Sequence, residues 1–234
     1  MTSKKPDTTA QQISVLLADD HTIVRQGFRA LLEAEQDIVI VGEAATGRQA
    51  VQLARKLRPN VAVIDIAMPL LNGLEATRQI TREVPSTKVL ILSSYDDDEY
   101  VHQLGEAGAS GYLLKEAAVT NLLSAIREVM KGRACFSTDI SKRLLDHYRD
   151  TVLKRAPDQA RTAKLSCREA EVLQLIAEGK ASKQIAAELN LSRKTVENHR
   201  QRLMKKLDIH DIANLTRYAI AKGVIASHTP AIAS

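Results

Sequence analysis

The sequence predicts an α/β domain built on a five-stranded parallel sheet, followed by a small all-α domain. Three observations support this. Between Ile13 and Gly132, short β-rich apolar runs alternate with amphipathic stretches at helical spacing. From Leu165 onward the apolar spacing is helical throughout. Charge divides the same way: residues 13–131 carry 12 Lys/Arg against 16 Asp/Glu, whereas residues 164–234 carry 12 against 7. An acidic half joined to a basic half suggests two tasks, with the basic end a candidate for nucleic acid.

The elements follow in order. Ile13-Ser14-Val15-Leu16-Leu17-Ala18 reads as the first strand, and Val24, Phe28, Leu31 and Leu32 then recur at helical spacing. Ile38-Val39-Ile40-Val41 precedes a helix with Ala50, Val51, Leu53, Ala54 and Leu57 that stops near Pro59. Val61-Ala62-Val63-Ile64 leads into a helix from about Asn72 to Pro85, and Val89-Leu90-Ile91-Leu92 into one with an acidic start at Asp96–Glu99. Gly111-Tyr112-Leu113-Leu114 precedes a helix with Val119, Leu122, Leu123, Ile126 and Val129, ending at Gly132. Five β-α units imply a parallel sheet covered on both faces, and right-handed crossovers favour a flavodoxin-like strand order, 2-1-3-4-5.

Residues 133–164 read as a linker, with Ile140, Leu144, Leu145, Tyr148 and Val152 forming part of a helix. Residues 165–226 make the helical domain. Ser182 opens a short helix with Ala186 and Ala187 at a close crossing. Asn190 suits a left-handed turn, and Ser192 is placed to cap the helix Arg193 to Leu207. Met1 to Gln12 is polar, without the apolar core of a secretory signal, and is expected to be a disordered arm; residues 227–234 form a tail. Apolar content of 44% and charged content of 26% suit a globular cytoplasmic protein, and no apolar run approaches the length of a membrane span. Cys135 and Cys167 lack the spacing of a zinc site or a disulfide framework.

The polar residues ending the apolar runs converge if the strands are parallel. Asp19 and Asp20 follow the first, Asp65 the third, Ser93 the fourth and Lys115 the fifth. Three carboxylates, a hydroxyl and an ammonium in one crevice suit a divalent cation, Mg2+ above all, with a phosphoryl group. Asp20 and Asp65 are candidate direct ligands, and Asp19 a ligand directly or through water. Asp65 is the better nucleophile, because the adjacent pair suits metal; Lys115 would neutralise phosphoryl charge and Ser93 donate a hydrogen bond. His21 is a metal ligand or a solvated helix-start residue.

The segments LLADDHTIVRQGFRALL, VIDIAMPLLNGLEA, VLILSSYDDD and GASGYLLK resemble the signatures of bacterial response-regulator receiver domains, over residues 13–132. The resemblance implies that Asp65 accepts a phosphoryl group from a phosphohistidine of a sensor histidine kinase. It implies that Asp20, Asp65 and the backbone carbonyl of Ala67 hold Mg2+, and that Ser93 and Tyr112 act as switch residues. Pro69 and Gly73 would shape the loop after Asp65.

In the basic end, Val196, Leu203 and Leu207 share one helical face, with Lys194, Asn198, Gln201 and Lys205 opposite and Glu197 and Arg202 flanking. Such a helix fits a major groove, where Asn and Gln read adenine, Glu accepts from cytosine and cations meet phosphates or guanine. The stretch LSCREAEVLQLIAEGKASKQIAAELNLSRKTVENHRQRLMKKL resembles a LuxR-type DNA-binding domain. That resemblance implies phosphate contacts from Lys183, Lys194, Thr195, His199, Arg200 and Lys206, and base readers at Glu197, Asn198 and Gln201.

Together the halves resemble the NarL/FixJ class of response regulators. The resemblance implies a phosphorylation-dependent transcription factor, not an enzyme, that binds double-stranded DNA as a homodimer. Two other readings stand beside it: a regulator that works by dimerisation without phosphate, and a phosphohydrolase with an aspartyl nucleophile. Asp19-Asp20-His21-Thr22 lacks the DxD spacing more natural to the last.

Overall fold

The structure, a computed structural model, describes residues 12–94, 98–136, 140–142, 145 and 165–225. The expected arm before Gln12, the side chains of the acidic run Asp96–Glu99, linker positions Leu144, Tyr148 and Val152, and the tail 227–234 lie outside the described residues.

Five strands, β1 (Ile13–Ala18), β2 (Ile38–Ala44), β3 (Val61–Asp65), β4 (Lys88–Ser93) and β5 (Gly111–Leu114), form one parallel sheet in the order β2-β1-β3-β4-β5. The helices between and after them are α1 (Thr22–Glu33), α2 (Gly47–Leu57), α3 (Gly73–Glu83), α4 (Asp98–Ala107) and α5 (Lys115–Met130). The sheet is buried on both faces, so its central strands are apolar without alternation. The two-residue period still sorts the side chains. Leu16, Ala18, Ala62, Ile64, Val89, Ile91 and Tyr112 pack with α2 and α3, whereas Val15, Leu17, Val61, Val63, Leu90, Leu92 and Leu113 pack with α1 and α5.

The register brings the strand ends level: Ala18 pairs with Ile64, Asp65 with Leu92, and Ser93 with Leu114. Asp19, Asp65, Ser93 and Lys115 therefore share one sheet edge. Lys115 is the first residue of α5, with no loop between β5 and the helix. Gly73 is required where α3 begins, because a Cβ there would meet the Asp65 carbonyl oxygen at 2.0 Å. The chain after Asp65 thus folds back tightly against its own strand.

Residues 133–136 do more than link. Tyr112 N–H donates to the Cys135 carbonyl (2.8 Å), and Cys135 N–H to that of Ser110 (3.1 Å), so this segment covers the open edge of β5. Phe136 and the buried Ile140 extend the core below Tyr112.

The helical domain comprises α6 (Cys167–Ala177), α7 (Ser182–Leu189), α8 (Arg193–Leu207) and α9 (Ile212–Ala221). Ser192 caps its helix as expected, and the structure adds caps at Ser166 and Asp211. Ser166 and Glu169 form a reciprocal capping box on α6, Ser192 caps α8 by accepting from Thr195 N–H, and Asp211 caps α9. Asn190 ends α7 at φ 52°, the left-handed turn its side chain tolerates. Val196 and Leu203 are fully buried, and Leu207 packs against the same core at its border. Ala186 is buried at the helix crossing, but Ala187 is exposed, so one small residue and not two makes that approach. Leu70, from the loop after β3, also packs against this helical core, joining the two parts.

Candidate functional site

Asp19 stands one residue beyond β1 and is fully buried; Asp65 ends β3 and is 1% exposed. Asp19 is pinned from both sides of its backbone. Its N–H donates to the Ala44 carbonyl at 3.1 Å, and its carbonyl accepts from Arg25 Nη1 at 2.6 Å. Arg25 is itself held by Glu43 on β2. Its role was not legible beforehand, since a basic residue on an amphipathic helix reads as a solvated face.

Lys115 Nζ lies 2.8 Å from Asp19 Oδ2 and 2.9 Å from Asp65 Oδ2. Those are ion-pair distances, and Asp20 Oδ1 likewise has His21 Nδ1 at 2.7 Å, so each of these buried oxygens faces one nitrogen and keeps a further lone pair. Three buried carboxylate oxygens with unspent lone pairs, on residues whose ligand atoms lie within 4.8 Å of one another together with His21, fit a hard divalent cation. His21 is at the cap position of α1 and largely exposed. Its N–H donates to Asp19 Oδ1, and its Nδ1 lies 2.7 Å from Asp20 Oδ1.

Burial pushes the Asp65 carboxyl above its ordinary value, and the Asp19 charge adds to this, although Lys115 pulls the other way. Burial also opposes charge on Lys115, but the two carboxylates outweigh it and hold the ammonium above its ordinary value. Ser93 is 1% exposed at the end of β4, the strand between those of Asp65 and Lys115. Tyr112 is also 1% exposed, its ring inside the core. Ala67 lies exposed on the loop two residues past Asp65. The structure therefore brings Asp19, Asp20, Asp65 and Lys115 into contact and sets Ser93 at the same edge.

On the helical domain, Lys194, Asn198, Gln201 and Lys205 are exposed along α8, with Arg202 beside them and Lys183 exposed on α7. Thr195, Glu197, His199 and Arg200 are half-buried. Thr195 Oγ1 is 2.8 Å from Ser192 Oγ, and Arg200 donates to Ser182 Oγ at 3.2 Å. Lys206 differs from its neighbours: its Nζ is 2.6 Å from the buried Glu169 Oε2, which commits it to the fold. A cleft beside α8 is lined by Lys180, Lys183, Arg193 and Arg200. Arg193 was missed in the sequence because it does not fall on the face opposite Val196 and Leu203, and Lys180 because it lies in the turn between α6 and α7, away from that helix.

Comparison with known proteins agrees with this division. Residues 15–127 match the response regulator receiver domain family, and residues 163–219 match bacterial regulatory proteins of the luxR family. The transcriptional regulatory protein LiaR of Bacillus subtilis is 40% identical over 207 residues, covering 88% of this chain and 96% of LiaR. The oxygen regulatory protein NreC of Staphylococcus haemolyticus is 38% identical, covering 91% and 99%. Among solved structures, one of two RcsB dimers bound to two parallel DNAs aligns with 91% of this chain and 99% of its own. It does so at 27% identity and a TM-score of 0.54.

Proposed function

The chain belongs to the response regulators that join a receiver domain to a LuxR-family DNA-binding domain, and from that premise we propose a transcriptional regulator switched by phosphorylation of Asp65. The observation behind it is the contact of one ammonium, Lys115, with two buried carboxylates, Asp19 and Asp65, at the edge where Ser93 also ends its strand. The division of labour follows the fold: a receiver over residues 13–132 with its edge covered by 133–136, then a helical domain over 165–226.

In this reading a carboxylate oxygen of Asp65 attacks the phosphorus of a phosphohistidine on a sensor histidine kinase. The P–N bond breaks, the imidazole leaves and takes up a proton, and an acyl phosphate forms on Asp65. Lys115 faces the charge that develops on the phosphoryl oxygens, and the Ser93 hydroxyl donates to one of them. Asp19, Asp20, Asp65 and the Ala67 carbonyl would hold Mg2+, which when bound offsets the repulsion between phosphate and carboxylates. Tyr112, already inside the core, is the switch partner of Ser93.

The output is double-stranded DNA. The exposed Asn198 and Gln201, with Glu197, are proposed base readers; Lys183, Lys194, Thr195, His199, Arg200 and Lys205 are proposed to contact the backbone, joined by Arg193 from the cleft. Two-fold homodimers reading paired half-sites suit this helix-turn-helix, and the RcsB structure carries dimers on DNA. No helix among the described residues is long and apolar enough to cross a membrane, and the proposed location is cytoplasmic.

Genome-wide DNA capture with the wild-type chain, with and without acetyl phosphate, tests the reading. Occupancy of a defined set of sites should rise on phosphorylation and fail to rise with Asp65→Asn. Identical occupancy in all three samples would rule the mechanism out.

A further inference from the structure

Gln174 is a buried polar side chain on α6, 3% exposed, amid Val172, Leu173, Leu175 and Ile176 of the helical core. Its amide reaches across to the receiver. Nε2 donates to the Met68 carbonyl at 3.0 Å, and Oε1 accepts from Asn72 N–H at 2.7 Å. Met68 and Asn72 bracket the loop that leaves Asp65, and Ala67 precedes Met68 directly. Asn72 is the cap of α3, and its Nδ2 also donates to the Val224 carbonyl beyond α9 (3.1 Å). Between these anchors Leu70 has φ 68°, a left-handed conformation unfavourable for a residue with a branched side chain. Its side chain packs on the helical core, so contacts across the interface hold the strained turn.

We infer that Gln174 of the DNA-binding domain is a positioning residue for the metal and phosphoryl site of the receiver. The inference rests on the reading of Asp65 given above. A cation site built partly from a loop carbonyl binds more tightly when the loop is ordered beforehand. Outer-shell hydrogen bonds of this kind are worth about tenfold or more in metal affinity. The Ala67–Met68 peptide is oriented within the receiver by Met68 N–H donating to the Ile66 carbonyl at 3.1 Å, and Gln174 braces the same loop from outside by holding the next carbonyl, that of Met68, and the Asn72 N–H. The coupling is reciprocal: a filled site strengthens the grip of α6 on the loop, and loss of that grip loosens the site. Lys194, Asn198, Gln201 and Lys205 stay exposed in this arrangement, so the coupling does not require the recognition helix to be covered.

Mn2+ titration of the full-length chain, followed by the electron paramagnetic resonance of the free ion, tests this. Asp65→Asn should lose most of the binding. Gln174→Ala should weaken it by about tenfold. Leu70→Gly should do the same, because glycine accepts the left-handed turn but removes the anchor and leaves α6 intact. Gln174→Glu keeps an acceptor for Asn72 but turns a buried carboxylate oxygen on the Met68 carbonyl and on Glu178, to which the amide now donates at 2.8 Å, so it should weaken binding at least as much as Gln174→Ala. Amide hydrogen exchange should quicken in residues 66–73 of the weakened variants. Unchanged affinity in Gln174→Ala and Leu70→Gly, with Asp65→Asn still deficient, would overturn the inference and leave Asp65 standing. Wild-type affinity in Asp65→Asn would overturn the reading of Asp65, and this inference with it.

Discussion

Lys115 and Asp65 come within 2.9 Å of each other although Lys115 follows β5 and Asp65 ends β3, strands separated in the sheet by β4. The long ammonium side chain spans the end of the intervening strand, where Ser93 sits. Lys115 also meets Asp19 from β1, so one cation ties together the ends of three strands. This arrangement makes the first prediction. Lys115→Met should slow phosphorylation by acetyl phosphate by about a hundredfold, in line with losing one preorganised donor to developing charge. Phosphate-affinity gel electrophoresis over time would measure it, and a rate within twofold of wild type would remove Lys115 from the transfer step.

Asp65 itself should cost stability. Its folded pKa is raised, chiefly by burial, so the folded state binds more protons than the unfolded chain around that range. Stability then falls as pH rises from the ordinary carboxylate range through the folded value. At neutral pH the ionised, buried carboxylate is a burden that Asp65→Asn relieves. The variant should be more stable by about 1 kcal/mol, a few degrees in thermal unfolding at pH 7.5 without metal. Added Mg2+ should raise the midpoint of wild type but not of the variant. A lower midpoint for Asp65→Asn would mean that the Lys115 pairing outweighs burial.

Lys206→Ala should unsettle the helical domain before it affects DNA contacts. Burial disfavours the Glu169 charge, but Lys206 and the Ser166 cap together hold its pKa below the ordinary value. A depressed carboxylate pKa contributes stability above the unfolded value and loses it as pH falls through the folded one. The cost of Lys206→Ala should therefore be about 1 kcal/mol at neutral pH, kept modest because the Lys206 side chain is 40% exposed. It should shrink below about pH 4, as the carboxylates protonate. Chemical denaturation at pH 7 and at about pH 2.5, below the ordinary carboxylate range, would show this, and equal differences at both would contradict it.

Along α8, readers and positioners should separate. Asn198→Ala and Gln201→Ala should change sequence preference, each contact being worth about 1–3 kcal/mol. Lys205→Ala should weaken binding to every sequence and flatten its salt dependence. Binding to randomised duplexes at two salt concentrations distinguishes these outcomes, and uniform losses for all three variants would refute the assignment.

The strands and the acidic crevice were legible in the sequence because each is a local pattern. A strand buried on both faces reads as an unbroken apolar run, and in a parallel sheet the polar residue that ends each run must land at the same edge. The cap at Ser192 and the left-handed turn at Asn190 were legible for the same reason. Contacts between distant segments were not. Arg133 to Phe136 shows no alternation, so its pairing with β5 had no signature. The LuxR-type resemblance put Lys206 among the phosphate contacts but gave no hint of Glu169, 37 residues earlier. Gln174 interrupts an apolar stripe, and only the loop of another domain explains why a buried amide stands there.

The most direct test of the central claim is to trap the acyl phosphate. The wild-type chain, incubated with acetyl phosphate and Mg2+, is reduced with borohydride, which converts a phosphorylated aspartate to homoserine, and digested for peptide mass spectrometry. Homoserine is expected at position 65 alone, with Asp19 and Asp20 unmodified. Homoserine at another position, or none at 65 after full incubation, would contradict it.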